Sequence, residues 1–133
     1  MRSIFVNLPV ADVAVSRSFF TALGFTVNEQ FSDENTACIV IEQNVFAMVM
    51  TPARFADFVE GEIADARKST EVLLALSAES REDVDRMRAT ALAHGGSEWK
   101  PNQDHGFMYG ASFADPDGHV WEVVWMDPAA VAG

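Results

Sequence analysis

The sequence predicts an α+β protein built from two βαβββ modules in tandem. Three observations predict it. The order strand, helix, three strands can be read twice along the 133 residues. Residues 8–12 and 76–80 hold matching places, 68 residues apart, each a strand end leading into a helix cap. Each helix then stops at glycine, in Ala22-Leu23-Gly24 and in Ala93-His94-Gly95. Two copies are too few to stack as a solenoid. They are expected to form one domain, with module 1 at about 1–51, a connector at 52–69 and module 2 at about 70–128.

The elements of module 1 follow from local chemistry. Residues 4–10 are a β-rich run broken by Pro9. Asp12 is an N-cap, and Val13, Phe19, Phe20 and Leu23 recur near helical spacing. Strands are expected at 25–31, 36–42 and 45–50, separated by Asp33-Glu34-Asn35 and Gln43-Asn44. In the connector, Phe55, Phe58 and Val59 suit a helical turn or two, and the charged stretch 60–68 suits solvent. Module 2 opens with a strand in 70–77. Ser80 is an N-cap with Asp83 as its acidic partner three residues on. Val84, Met87, Ala91 and Leu92 give the helix its apolar face. Strands are expected at 98–100, 107–113 and 120–125, the last two joined by Asp115-Pro116-Asp117-Gly118, a strong turn signal. Each sheet would bury one face against its helix. The recess where two such sheets meet, a pocket on the concave sheet, is the expected binding site.

Composition narrows the function. Hydrophobic residues are 49% and charged residues 22%, enough apolar material for a packed core. The net charge of −11 argues against nucleic acid or an anionic membrane as partner. No apolar run approaches the ~20 residues that span a bilayer, and the first residues lack the pattern of a secretory signal. The single cysteine, Cys38, allows no internal disulfide. It has no close basic neighbour to make a thiolate and reads as a small buried hydrophobe. A cytoplasmic protein is expected. Phosphate loops, the Gly-x-Ser-x-Gly elbow and Cys-x-x-Cys are all missing from the sequence.

Four segments carry a family resemblance. They are Val6-Asn7-Leu8-Pro9-Val10-Ala11-Asp12, then 19–25 (Phe-Phe-Thr-Ala-Leu-Gly-Phe), His94-Gly95-Gly96, and 113–122 (Phe-Ala-Asp-Pro-Asp-Gly-His-Val-Trp-Glu). Together they resemble the vicinal oxygen chelate superfamily of glyoxalase, bleomycin-resistance proteins and extradiol dioxygenases. The resemblance implies eight strands from paired modules, a homodimer, and in the enzymes a divalent metal with two ligands from each module. That metal chelates two adjacent substrate oxygens and stabilises an enediolate or related anion. Carried over by register, the ligand positions fall on Phe5, on Met48 or Met50, on Leu73 (with Glu71 two residues earlier on the same face), and on Glu122. Only Glu122 is a ligand of the family's kind. A thioether suits copper(I) rather than hard or borderline ions. The expectation is therefore no metal cofactor, with Glu122 the ligand if one binds.

The candidate catalytic residues are Glu122 and His105. Glu122 alternates with Val120 and Val124, where a carboxylate is costly to bury unless paired or protonated. It is a general base or a polar anchor, against the plainer reading of a salt-bridged or exposed strand residue. His105 lies in the polar, aromatic and glycine-rich stretch 102–110, which suits a pocket rim or a solvated hairpin turn. The candidate substrate-binding residues are Phe5, Asn7, Met48, Met50, Leu73 and Tyr109. Phe46, Met48 and Met50 share a face as core packing or as an adaptable apolar lining. Tyr109, the only tyrosine, is either a hydroxyl for a substrate oxygen or a strand aromatic. His94 suits a helix C-terminus, and His119 a strand start. Two functions stay open. One is a protein that binds a small, partly apolar molecule at a site stripped of metal ligands. The other is an enzyme, either a lactoylglutathione-lyase-like metal enzyme with a rearranged site or a metal-free acid–base isomerase or lyase using Glu122.

Overall fold

The computed structural model describes residues 1–131. The chain divides into two compact units, Met1–Asp65 and a second that begins at Ala66. No helix among the described residues is long and apolar enough to cross a membrane.

In the first unit, β1 (Ile4–Pro9) leads to α1 (Val13–Ala22), then β2 (Thr26–Asn28), β3 (Thr36–Glu42), β4 (Val45–Met50) and α2 (Pro52–Phe55). The sheet order is β1-β4-β3-β2, with β1 parallel to β4 and the other pairs antiparallel. α1 begins where the Asp12 carboxylate accepts the N–H groups of Ala14 and Val15, as its cap chemistry requires. The helix gives way to Gly24 at φ 101°, a left-handed conformation that favours glycine. Strand alternation sends Leu8, Ala37, Ile39, Ala47 and Val49 to the face that α1 covers with Val13, Phe19 and Phe20, and all are buried. Phe20 meets Phe19 edge-on at 5.1 Å and stacks on Phe25 at 6.3 Å.

The strand expected at 25–31 is cut short. The Asn28 side chain accepts the Gln30 N–H and turns the chain into a 3-10 helix at Glu29–Phe31. At the connector, the Thr51 hydroxyl accepts the Arg54 N–H and Pro52 occupies the first helical turn, so α2 forms. A 3-10 turn, Ala56–Phe58, follows it, and the Arg54 guanidinium lies 4.8 Å from the Phe58 ring centre.

The second unit contains β5 (Leu73–Ser77), α3 (Arg81–Ala93), β6 (Ser97–Glu98), β7 (Gln103–Asp104), β8 (Met108–Ala114), β9 (Val120–Met126) and α4 (Pro128–Val131). The order is β5-β9-β8-β6, and β7 also pairs with β8. Ser80 accepts the Asp83 N–H, while the Asp83 carboxylate accepts the Glu79 N–H one residue before the cap. Ala111, Phe113, Trp121 and Val123 are buried on the face that meets α3, whose own buried residues are Val84, Met87 and Ala91. The strand expected at 98–100 ends at Glu98 because the Lys100 N–H bonds to the Ser112 hydroxyl instead of continuing the ladder. β7 is an additional short strand inside the stretch read as a loop.

Candidate functional site

The face of the second sheet that turns away from α3 centres on Glu122. Its register partners are Ala75 on β5 and Ser112 on β8. Along β9 the face runs from buried Val120, through half-buried Glu122 and Val124, to Met126, which is 42% exposed. On β5, Leu73 is 51% exposed. The Glu122 carboxylate forms no hydrogen bond or ion pair with a described residue. It is a half-buried charged group among valines, an alanine and a hydroxyl, and such groups ordinarily find a partner.

Tyr109 lies on the opposite face. It is the register partner of Trp125, and α3 holds it. Its hydroxyl donates to Asp85 at 2.5 Å and accepts from the Asn102 amide at 3.0 Å. The hydrogen bond to the Asp85 carboxylate pushes the phenol's pKa up. The Arg81 guanidinium sits 5.0 Å from the Tyr109 ring and 5.1 Å from Trp125. Arg81 also forks onto Asp104 at 2.9 and 3.0 Å and donates to the Gly106 carbonyl. The Arg81 bonds bring the Asp104 carboxyl down to about 2. Strand alternation thus sends Tyr109 and Glu122 to opposite sides of the sheet.

His105 occupies the tip of the β7–β8 hairpin, exposed, with its N–H bonded to the Met108 carbonyl. Ser112, opposite Glu122, is four residues further along β8 than Met108, about 13 Å of strand. The hairpin tip that carries His105 is thus set apart along the strand from Ser112, the register partner of Glu122. His94 caps the end of α3, its ring Nδ1 at 2.8 Å from the Thr90 carbonyl. His119 follows the Asp115 turn, and its N–H donates to the Asp115 carboxylate.

On the first sheet, Phe5, Asn7, Phe46, Met48 and Met50 share the face away from α1. Phe5 and Phe46 stack at 4.8 Å with 10° between the rings, and Phe5 is 54% exposed. Asn7 faces Met48 and donates to the Phe5 carbonyl at 3.2 Å. Cys38 is the other neighbour of Met48 and is buried, which pushes its thiol pKa up.

Register fixes the correspondence between the two units. Asn7 opposes Met48 as Ala75 opposes Glu122, with Phe5 and Leu73 two residues earlier. The four metal-ligand positions of the resemblance are then Phe5, Met48, Leu73 and Glu122, and Met50 lies one pleat further on, opposite Pro9. Glu71 precedes β5 and is exposed. The first unit thus offers a thioether and a hydrocarbon, and the second a carboxylate and a hydrocarbon. Hard and borderline divalent ions need several oxygen or nitrogen donors, so these residues do not fit such a metal. Among the described residues no group of three His, Cys, Asp or Glu is placed to hold an ion.

Ser112, Ala75 and Arg81 were not singled out from sequence. Alternation along 108–114 places Ser112 on the Glu122 face once the hairpin register is known. Nothing in the sequence signals the Arg81 contacts.

Two parallel-and-antiparallel sheets, each with one helix-covered face, define a glyoxalase/bleomycin-resistance type of fold. Comparison with known proteins agrees. Residues 2–42 match the family described as bleomycin resistance protein-like N-terminal. A hypothetical protein from S. aureus is similar at 25% identity over 94% of each chain, with a TM-score of 0.79. A glyoxalase/bleomycin resistance protein/dioxygenase family enzyme from Burkholderia phytofirmans is 19% identical, covering 92% of this chain and 96% of its own, with a TM-score of 0.76. A glyoxalase-related enzyme from Fulvimarina pelagi is 18% identical over 94% and 88%, with a TM-score of 0.79. No curated protein matches the chain. The family match bears out the resemblance over residues 2–42, and the structural likenesses bear out the expected fold.

Proposed function

We propose that the chain binds a small, partly apolar molecule on the open faces of its sheets, without a divalent metal. One observation carries this reading: the positions that hold metal ligands in the family resemblance are Phe5, Met48, Leu73 and Glu122 here. On the first sheet Phe5 and Met48 offer apolar contact, and on the second Leu73 offers apolar contact beside the polar anchor Glu122. Half-exposed Phe5 and Leu73 supply surface that a ligand would desolvate, at about 25 cal/mol per Å² removed from water. Met48 adapts its shape to different ligands.

Metal-free proton transfer by Glu122 is supported less well. Abstraction next to a carbonyl needs a donor for the developing oxyanion. Tyr109 is on the other face, His105 is distant along the strand, and the Ser112 hydroxyl donates to the Lys100 carbonyl at 3.5 Å.

The test is a titration of chelator-treated protein with small apolar and amphipathic compounds, followed by amide NMR. Shifts are expected at Phe5, Met48, Leu73 and Glu122. Leu73→Asp should weaken binding by about tenfold, and Phe5→Ala by a similar factor. Compounds that bind only after a divalent metal is restored would overturn the reading.

A further inference from the structure

We infer that the molecule held at Glu122 is a small organic cation, an ammonium group on a short apolar body. This rests on the binding reading above and names the chemical class it takes. Glu122 is half-buried, and its neighbours on the open face are Val120, Val124, Ala75 and Ser112. None carries a compensating charge. The Ser112 hydroxyl is engaged with the Lys100 backbone.

Six of the nine Lys and Arg side chains lie beside carboxylates elsewhere. Arg17 pairs with Glu29, Arg54 with Asp57, Arg81 with Asp104 and Arg88 with Glu98. Arg67 is beside Asp117, and Arg86 pairs with Asp83. Lys100, whose N–H bonds to the Ser112 hydroxyl, forms no ion pair with Glu122 among the described residues. A net charge of −11 adds a field that draws cations in and repels anions. Val124 and Leu73 supply the apolar flank for the body of the ligand. A ligand ammonium donates charge-assisted hydrogen bonds to the carboxylate, a stronger contact than a neutral hydroxyl makes. The ligand thus brings the positive charge that this face lacks.

The experiment uses three probes of one shape and different charge: hexylamine, hexanol and hexanoate. Each is titrated into the whole protein and into Glu122→Gln, with amide NMR as the readout and thermal unfolding as a check that the variant is folded. Hexylamine is expected to bind the native protein about tenfold tighter than hexanol, and hexanoate weakest. Glu122→Gln should remove most of the amine's advantage over the alcohol. Added salt should weaken the amine alone. Equal affinity of amine and alcohol for the native protein, or an amine preference undiminished in Glu122→Gln, would overturn this inference and leave the binding reading standing. If no hexyl probe perturbs the open faces in either protein, both fall together.

Discussion

Asp115 offers a quantitative test of how the second unit is held. It begins the β8–β9 turn and is 3% exposed. Its Oδ1 accepts the N–H groups of Asp117 at 2.9 Å and His119 at 3.1 Å, and its Oδ2 accepts the Trp121 indole N–H at 3.1 Å. Asp115→Ala strands three donors, each costing about 1–3 kcal/mol when left unsatisfied and buried. Against this, burial of the carboxylate is itself unfavourable. Burial pushes the Asp115 pKa up, opposed by the charge of His119 and by the Trp121 and backbone hydrogen bonds. Removing the group returns part of that penalty, so a net loss of about 3 kcal/mol is expected. In urea, with a slope of roughly 1.5 kcal/mol per molar for a chain of this size, the midpoint should fall by about 2 M at unchanged slope. The pH dependence has a definite sign. A folded pKa above the unfolded one means that the folded state binds the proton more tightly. The group's contribution is fully present below the unfolded value of about 3.9 and falls as pH rises through the folded value. Native protein should therefore lose stability relative to Asp115→Asn as pH rises from about 4. A loss under about 1 kcal/mol for Asp115→Ala, or no difference in pH slope for Asp115→Asn, would refute the reasoning.

Two further outcomes follow from other contacts. Arg81→Met should return the Asp104 carboxyl from about 2 toward its ordinary range, read by carboxyl-carbon NMR. Because the folded value is depressed, the pair's stabilisation is present above the unfolded pKa and is lost as pH falls through about 2. At Gly118, φ is 89° and an added Cβ would stand 3.1 Å from the Arg67 backbone nitrogen, whereas at Gly24, φ 101°, it would meet nothing within 4 Å. Gly118→Ala should cost about 2–3 kcal/mol and Gly24→Ala about 1 kcal/mol in chemical unfolding. Equal costs would show that crowding at the turn is not felt.

The fold was legible where local chemistry and long-range pairing agree. Residues 36–42 and 45–50 form strands as read, because their alternation is strong and polar turn residues bound them. Asp12 and Ser80 cap their helices as read, since a cap is a contact between near neighbours in sequence. The strand at 25–31 was overextended because the Asn28 cap competes with the ladder. β7 is not legible in the sequence because two residues carry no periodicity. Tyr109 illustrates the harder case: its side of the sheet depends on hairpin register, which a lone tyrosine in a glycine-rich stretch does not reveal. Glu122 and its valine neighbours were legible because a carboxylate at an alternating position between apolar residues departs from the pattern around it.

The most direct test of the central claim is a calorimetric titration of chelator-treated protein with nickel, zinc, manganese and iron(II), in native and Glu122→Gln forms. With one carboxylate, one thioether and two hydrocarbons at the ligand positions, neither form should take up a stoichiometric ion, and the two titrations should coincide. One equivalent bound by the native protein and lost in Glu122→Gln would contradict the account and restore a metal centre built on that carboxylate.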